Sequence, residues 1–424
     1  MTSAGPPTGP RPPRSPLTQP GFRWLWLGGL VSLAGTHMQL VALPYFVFER
    51  TGSAFATALA AGAQALPGVT LGPLAGAVAD SRDTRRLLIG ANVVLAVLTL
   101  AFCLAAVAPW WVVVVVAFLQ AVVAQLVGPA EIVLVPSLVP TASLPAANSL
   151  SAANNSLARL IGPAVGGLLY VAAGLPAVAV ANALSFAVAA LLVSRISPSR
   201  PQLSEHPQEL QRLMRAAWPG LSGGWVAGWA EIQWRPPLRR LLVFILLTGV
   251  GEGCVSALLA PYTAEVFGSS TALGLLLTCQ AAGGIAGALI MSRWVMIDRL
   301  PQTLAAAALA CGVVLAVMIG YPPFYPRLWP ALVLIAIAGL PFAAVAAAQA
   351  TLLQVLPHPA VRGSVYGVAV AAAGAAQLLG ILTSGYLADR TSVYLLLADA
   401  PCYLLAGLLI LAGRRPNRAL TPSS

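Results

Sequence analysis

Five ionisable side chains interrupt the apolar stretches of this sequence and are the first candidates for chemistry. They are His37, Glu131, Arg159, Glu252 and Asp399. A charged group at the depth of a lipid bilayer costs about 3 kcal/mol or more, so such residues usually serve an ion or substrate pathway. No catalytic triad accompanies them, so the pattern indicates proton exchange or ligand binding and predicts that the chain is not an enzyme.

Glu252 is the strongest candidate for proton coupling. It lies about 12 residues into a predicted seventh span, hence roughly 18 Å from the inner end of that helix and near the bilayer midplane. Glycines at 249, 251 and 253 flank it, so backbone or substrate could come close. A carboxyl group in apolar surroundings can take up and release a proton near neutral pH. The alternative is a carboxyl group satisfied by local hydroxyls such as that of Thr248.

The other ionisable residues each have two interpretations. Glu131 is a lesser coupling candidate or a partner for cytosolic arginines, and Arg159 could neutralise it or meet an anionic substrate. His37 is a proton relay or a packed, hydrogen-bonded residue. Asp399 is expected nearer the outer face, hydrating a helix end. Glutamines are further candidates for lining a cavity: Gln120, Gln125, Gln280, Gln349 and Gln377.

The composition identifies lipid as the main solvent of the chain. Of its 424 residues, 58% are hydrophobic and only 8% are charged, whereas soluble domains carry about 25% charged residues. The net charge of +11 comes entirely from arginines, which fall between the apolar runs. That placement is typical of membrane topology and argues against a nucleic-acid partner.

No cofactor or metal is predicted. The five cysteines lie far apart inside apolar runs, without the CxxC or Cys/His spacing of a metal site. No Walker-type glycine loop is present, so ATP as an energy source is unsupported and an ion gradient is the expected one.

Twelve apolar runs are long enough to span, since a crossing needs about 20 residues. Their estimated bounds are 22–48, 54–78, 86–107, 110–135, 147–172, 175–194, 239–263, 271–292, 303–321, 329–353, 364–387 and 393–413. With both termini in the cytosol, only Arg50, Arg327 and Arg390 fall in external loops. This positive-inside bias predicts a multi-pass protein of the cell membrane with cytosolic termini.

The two halves of the chain repeat each other. Pro44-Tyr45 matches Pro261-Tyr262, and residues 158–162 match 376–380, at offsets of about 217 and 218 residues. The predicted domains are a disordered cytosolic tail at 1–20, a six-helix bundle at 21–194, a central cytosolic loop at 195–238, a second six-helix bundle at 239–413 and a tail at 414–424. Parallel repeats of this kind hold the substrate site between the halves.

A loop motif lies between the second and third spans, where residues 76–86 read GAVADSRDTRR. A glycine permits close helix contact, an aspartate can cap a helix start, and arginines hold cytosolic helix ends. The motif residues are Gly76, Asp80, Arg82, Arg85 and Arg86. The alternative is an ordinary positive-inside loop.

A second motif lies in the fifth span and combines small residues with a proline. It consists of Arg159, Gly162, Pro163, Gly166 and Gly167. Small residues let helices approach closely, and the proline bends the helix. The alternative is generic small-residue packing.

With these motifs the chain resembles the major facilitator superfamily, in particular the branch with macrolide-efflux proteins and the enterobactin exporter. The opening stretch, residues 22–44, is also similar to the first helix of that branch. The resemblance implies two pseudo-symmetric six-helix bundles, an all-α fold of 12 transmembrane helices. It also implies a gate at the loop motif and an exporter signature in the fifth helix.

The resulting hypothesis is a monomeric, proton-coupled exporter of a hydrophobic or amphipathic small molecule, such as a drug, a macrolide or a siderophore. Few charges are available to bind an ionic substrate. An importer or uniporter of a small solute is the alternative within transport. A non-transporting membrane scaffold or receptor is the alternative from another class.

Overall fold

The structure, a computed structural model, describes residues 15–81, 83–140, 143–197, 226, 228–294, 299–358 and 361–413. Within these ranges every regular element is helical. The predicted tails at 1–14 and 414–424 and most of the central loop, 198–225, lie outside the described residues. Arg82 also lies outside, and for Gly76 and Asp80 only the helical backbone is described.

The helices are numbered α1–α12 in chain order. Their bounds are α1 Pro20–Thr51, α2 Ala54–Ser81, α3 Thr84–Leu100, α4 Trp110–Ala124 with a second segment Val127–Leu138, α5 and α6 within Leu144–Ser194, α7 Pro236–Phe267, α8 Ser270–Trp294, α9 Leu300–Gly320, α10 Leu328–Val355, α11 Arg362–Ala388, and α12, a 3-10 stretch Val393–Ala398 followed by Asp399–Ala412. Helical residues 228–234 precede α7 and fall in the predicted central loop.

A sharp corner divides Leu144–Ser194 into α5 and α6. Ala173 and Gly174 leave the helical conformation there, and Gly174 has φ +69°, a value that favours glycine. The described residues contain 11 continuous apolar helices of spanning length, one of which holds this corner. The predicted all-α fold with twelve transmembrane helices is therefore confirmed.

The repeat seen in the sequence reappears in the backbone. Both α1 and α7 end at a glycine with φ +63°, Gly52 and Gly268, whose N–H closes the last turn. Each helix carries a proline at the matching place, Pro44 and Pro261. The two halves therefore begin with the same long helix and the same termination.

α4 is interrupted near its middle, at Gln125 and Leu126. Pro129 follows by four residues and has no N–H to donate to the Gln125 carbonyl group, which breaks the helical ladder. Broken helices at membrane depth are tolerated where they line protein or a cavity.

The two bundles meet mainly at the predicted external end. There α2 packs on α11, with the Phe55 and Tyr386 rings 6.1 Å apart, and α5 packs on α8, where Ser270 Oγ donates to the Gly167 carbonyl oxygen at 3.3 Å. A buried cluster at the opposite end, which includes Phe22, contains residues of the first bundle only. The described contacts thus close the predicted external side.

Candidate functional site

Glu252 lies at the middle of α7, which begins at Pro236 rather than at the predicted residue 239. It is therefore roughly 24 Å from either helix end. Its Oε1 accepts a hydrogen bond of 2.8 Å from the Tyr403 hydroxyl group of α12. Glycine neighbours bring other helices close, since a Cβ added to Gly253 would lie 2.7 Å from the Ile381 nitrogen of α11. Glu252 is half-buried, so one side of it remains accessible.

Asp399 lies nearer the predicted outer end of α12, as expected, but the expectation that it hydrates a helix end is wrong. Its side chain is 0% exposed, and both carboxyl oxygens lack a hydrogen-bond partner. Its Oδ1 abuts the backbone of Gly251, the neighbour of Glu252. The preceding 3-10 stretch, Val393–Ala398, explains the depth, because a 3-10 helix rises about 2.0 Å per residue and carries Asp399 roughly 12 Å inward.

Arg159 brings a positive charge from the first bundle to this region. It lies in the neighbourhood of both the Glu252 carboxyl group and the His37 ring, although it forms no salt bridge with Glu252 among the described residues. His37 Nδ1 lies 2.8 Å from the Leu33 carbonyl oxygen of its own helix. The hydrogen-bonded interpretation of His37 thus has structural support, and Arg159 brings a cation of the first bundle into the region of Glu252.

Glu131 is separate from Glu252. It lies on the second segment of α4 beside Gly29 of α1, where Asn154 of α5 also approaches. Gly29 is about two helical turns, some 12 Å, from His37. Glu131 therefore lines the predicted cytosolic half of the first bundle and does not face Glu252.

The described arginines of the loop motif have other partners than Glu131. Arg85 donates to the Ser194 carbonyl oxygen at the end of α6, at 2.6 Å. Arg86 pairs with Asp83 at 3.3 Å, and Asp83 also caps the start of α3. These contacts hold helix ends within one bundle.

The motif of α5 lies where this helix contacts two others. Cβ atoms added to Gly162 and Gly166 would collide with α1 at His37 and Met38. On the other side, a Cβ on Gly167 would lie 2.9 Å from the Ser270 oxygen of α8, in the second bundle. The Pro163 carbonyl oxygen likewise abuts Gly274 of α8. The small residues therefore set the approach of one bundle to the other as well as packing within a bundle.

The glutamine candidates divide into packed and accessible groups. Gln120 is buried in a network with Gln39 and Thr99, at 2.6 and 2.9 Å, so it serves packing in the first bundle. Gln125 lies at the break in α4 beside Gly68 of α2. Gln349 is half-buried on α10.

A carboxylate that the sequence did not single out joins the bundles at the predicted external end. Asp389, just after α11, accepts hydrogen bonds of 2.5 Å from Ser53 Oγ and from the Ala54 N–H. It thus caps the start of α2 from the opposite bundle, where the helix dipole favours an anion. Opening this end must break both hydrogen bonds.

We expect Asp389→Ala to open the predicted external end more often. Loss of a capping side chain costs about 0.5–2 kcal/mol, and here the loss falls on the closed state alone. In a cysteine-free background, a cysteine at Ala61, which packs against a buried cluster made mostly of second-bundle residues, should react faster with an external thiol reagent. The control is Asp83→Ala, which removes a cap within one bundle. Equal labelling rates in both variants would mean that Asp389 does not hold the predicted external end closed.

Two six-helix bundles built from repeated halves are the architecture of a secondary membrane transporter. The sequence profile of the Major Facilitator Superfamily matches residues 25–369 and 241–424. The chain belongs to this superfamily, as the sequence motifs indicated.

Characterised relatives are efflux proteins. Macrolide efflux protein A of Streptococcus pyogenes is 26% identical over 396 residues, covering 92% of this chain and 93% of that protein. The multidrug efflux pump Tap of Mycolicibacterium fortuitum is 30% identical over 392 residues, covering 86% and 88%. The predicted branch is thereby confirmed, and the relatives are transporters rather than enzymes.

Solved structures share the fold at low identity. A bacterial homologue of the iron transporter ferroportin, in an inward-facing state, has a TM-score of 0.70 at 17% identity and covers 92% of this chain and 98% of that chain. A mutant form of the peptide transporter POT also has a TM-score of 0.70, at 13% identity, with 92% and 93% covered.

Proposed function

We propose that this protein is a proton-coupled exporter of hydrophobic or amphipathic small molecules. The observation that carries the proposal is the position of Glu252, at the middle of α7, half-buried and under the influence of Arg159 from the other bundle. A carboxyl group at the bundle interface can exchange protons with either side as the bundles rock. The efflux relatives support the direction of transport.

The arginine distribution supports an orientation with both termini in the cytosol. In that orientation the α2–α11 and α5–α8 contacts close the external side, so the conformation described above is inward-facing. Substrate would enter from the cytosol between the bundles, and Glu131 and Gln125 would lie along that path.

In the proposed transport cycle, the external and the cytosolic sides of the protein close in turn. Substrate binding near Glu252 and release of its proton would favour separation of α2 from α11, which breaks the Asp389 hydrogen bonds. The loop motif of Gly76, Asp80 and Arg86 would then close the cytosolic side. Proton uptake from outside would return the bundles to the present arrangement.

Everted membrane vesicles with an imposed proton gradient test the function. Radiolabelled erythromycin is the first probe, because relatives are macrolide and multidrug efflux proteins, and a panel of lipophilic cations follows. Accumulation that requires the gradient and disappears with a protonophore supports proton-coupled export. Transport of a probe without any gradient dependence would support a uniporter instead.

A reporter fused after residue 424 tests the orientation separately. We expect a fused fluorescent protein to fold and fluoresce, because it would remain in the cytosol, and a fused alkaline phosphatase to be inactive. An active phosphatase at this position would overturn the proposed orientation and, with it, the assignment of the inward-facing state.

A further inference from the structure

The same kind of helix contact occurs once in each bundle, between α1 and α6 and between α7 and α12, so the residues at the two contacts can be compared. In the first bundle, a Cβ added to Gly35 of α1 would touch Asn182 of α6. In the second bundle, a Cβ added to Gly251 of α7 would touch Asp399 of α12. Because these two contacts are equivalent, Gly35 corresponds to Gly251, and Thr36 therefore corresponds to Glu252. The sequence repeat, at an offset of about 217 residues, would instead align Glu252 with Gly35.

The sequences around this contact agree with the pairing. Residues 182–186 read NALSF and residues 399–403 read DAPCY, at an offset of 217 residues. Asn182 therefore corresponds to Asp399, and Phe186 corresponds to Tyr403. All three polar groups of the second bundle, the Glu252 and Asp399 carboxyl groups and the Tyr403 hydroxyl group, are absent from the matching places of the first bundle.

The counterpart of Asp399 shows what packing alone requires. Asn182 donates to Gln39 Oε1 at 2.6 Å and accepts from Ser185 Oγ at 3.1 Å. An amide with satisfied hydrogen bonds thus fills this place in the first bundle. Asp399 is equally buried, but neither of its oxygens has a partner. Its carboxyl group is therefore not explained by packing.

The surroundings of Asp399 contain no compensating charge among the described residues. The titratable groups near it are Glu252 and Cys254 of α7, Cys311 of α9, and Cys402 and Tyr403 of its own helix. These groups are acidic or neutral, and an unpaired buried carboxylate costs several kcal/mol. Arg159, in contrast, acts on Glu252.

We propose that Asp399 and Glu252 form a two-carboxyl proton site in which, in this conformation, Asp399 holds the proton and Glu252 carries the charge. Tyr403, one helical turn from Asp399, donates its hydroxyl hydrogen to Glu252 and holds that carboxylate in place. When the external side opens, the Asp399 proton passes to the Glu252 carboxylate, and Asp399 takes up a new proton from outside. After the bundles return, Glu252 releases its proton to the cytosol, so one proton moves inward in each cycle. The pair therefore carries one negative charge in this conformation, near Arg159, and none while the external side is open.

The inference rests on the proposed proton-coupled export, and infrared difference spectroscopy tests it without any substrate. The purified wild-type protein should show the carbonyl stretch of a protonated carboxyl group at neutral pH, and Asp399→Asn should lack that band. Asparagine fits the site, because Asn182 occupies the matching place. The control is Glu265→Gln, which changes an exposed carboxyl group on the same helix as Glu252 and should keep the band. An unchanged band in Asp399→Asn would overturn the proposal.

Proteoliposomes test the role of the site in coupling. With the probe found in the vesicle screen, Asp399→Asn should exchange substrate across the membrane but lose pH-driven accumulation. Tyr403→Phe, which reproduces the phenyl ring of Phe186, should keep the infrared band of Asp399 and slow pH-driven transport. Wild-type pH-driven accumulation that persists in Asp399→Asn overturns the two-carboxyl site alone. Absence of pH-driven accumulation in the wild type overturns the proposed function, whereas the infrared band reports on Asp399 in either case.

Discussion

Glu252→Gln should abolish proton-driven uphill export. Glutamine keeps the size of the side chain and can still accept the hydrogen bond from Tyr403, but it cannot bind or release a proton. The substrate gradient sustained by a pH gradient should therefore fall to a ratio of about one, while substrate exchange continues. The measurement is substrate-driven proton movement and pH-driven accumulation in proteoliposomes.

A matched variant separates coupling from folding. Glu265→Gln makes the same chemical change near the end of α7, at an exposed position, and should transport like the wild type. The thermal stability of both variants in detergent serves as the folding check. If Glu252→Gln still exports uphill at the wild-type rate under a pH gradient alone, Glu252 is structural and coupling lies elsewhere.

The proposed coupling needs only a few charged residues. A buried carboxyl group that is neutral in one conformation and charged in the other changes the energy of each state by its contacts alone. Arg159 stands on the first bundle and Glu252 on the second, so rocking changes the distance between them. In the proposed mechanism, the protonation of Glu252 thereby depends on the relative position of the two bundles.

The sequence predicted the fold because its signals are local. Apolar runs of spanning length, the arginine bias and the repeat of Pro44-Tyr45 in Pro261-Tyr262 each need no tertiary information. The position of Glu252 on its helix followed from helical rise alone. The α5–α6 corner was also readable from the glycine at residue 174.

The partners of Glu252 were not predicted. Thr248 was the local partner considered for Glu252, but the hydrogen bond comes from Tyr403, 151 residues away in the sequence, and Asp399 lies against the neighbouring Gly251. Such pairings depend on which helices pack together, and a single sequence does not show this. One signal was present: the match of residues 182–186 with 399–403 shows an amide replaced by a carboxyl group and a phenyl ring by a phenol.

Asp389 was missed for a different reason. It lies in a predicted external loop, where a carboxylate is usually solvated. Its role depends on the N–H groups at the start of α2 in the other bundle, and no feature of its own neighbourhood indicates that contact.

Gly167→Val should hold the external side open. A Cβ at this position would lie 2.9 Å from the Ser270 oxygen and 3.1 Å from the Thr271 Cα, both in the backbone of α8 and therefore unable to move aside. Overpacking costs about 1–3 kcal/mol, and here the cost falls on the closed arrangement of the two bundles. A free-energy change of that size shifts the equilibrium between the closed and the open external side roughly 5- to 150-fold. Transport should fall accordingly.

Distances between spin labels measure this shift. Labels on Ala172 and Tyr325, exposed residues on different bundles, should be farther apart in Gly167→Val than in the wild type. The control is Gly90→Val, the same substitution in α3 at a position where an added Cβ meets no atom within 4 Å, and its distance distribution should match the wild type. If Gly167→Val retains the wild-type distances and transport rate, the α5–α8 contact does not control closure, and the small residues of the α5 motif serve packing within the first bundle.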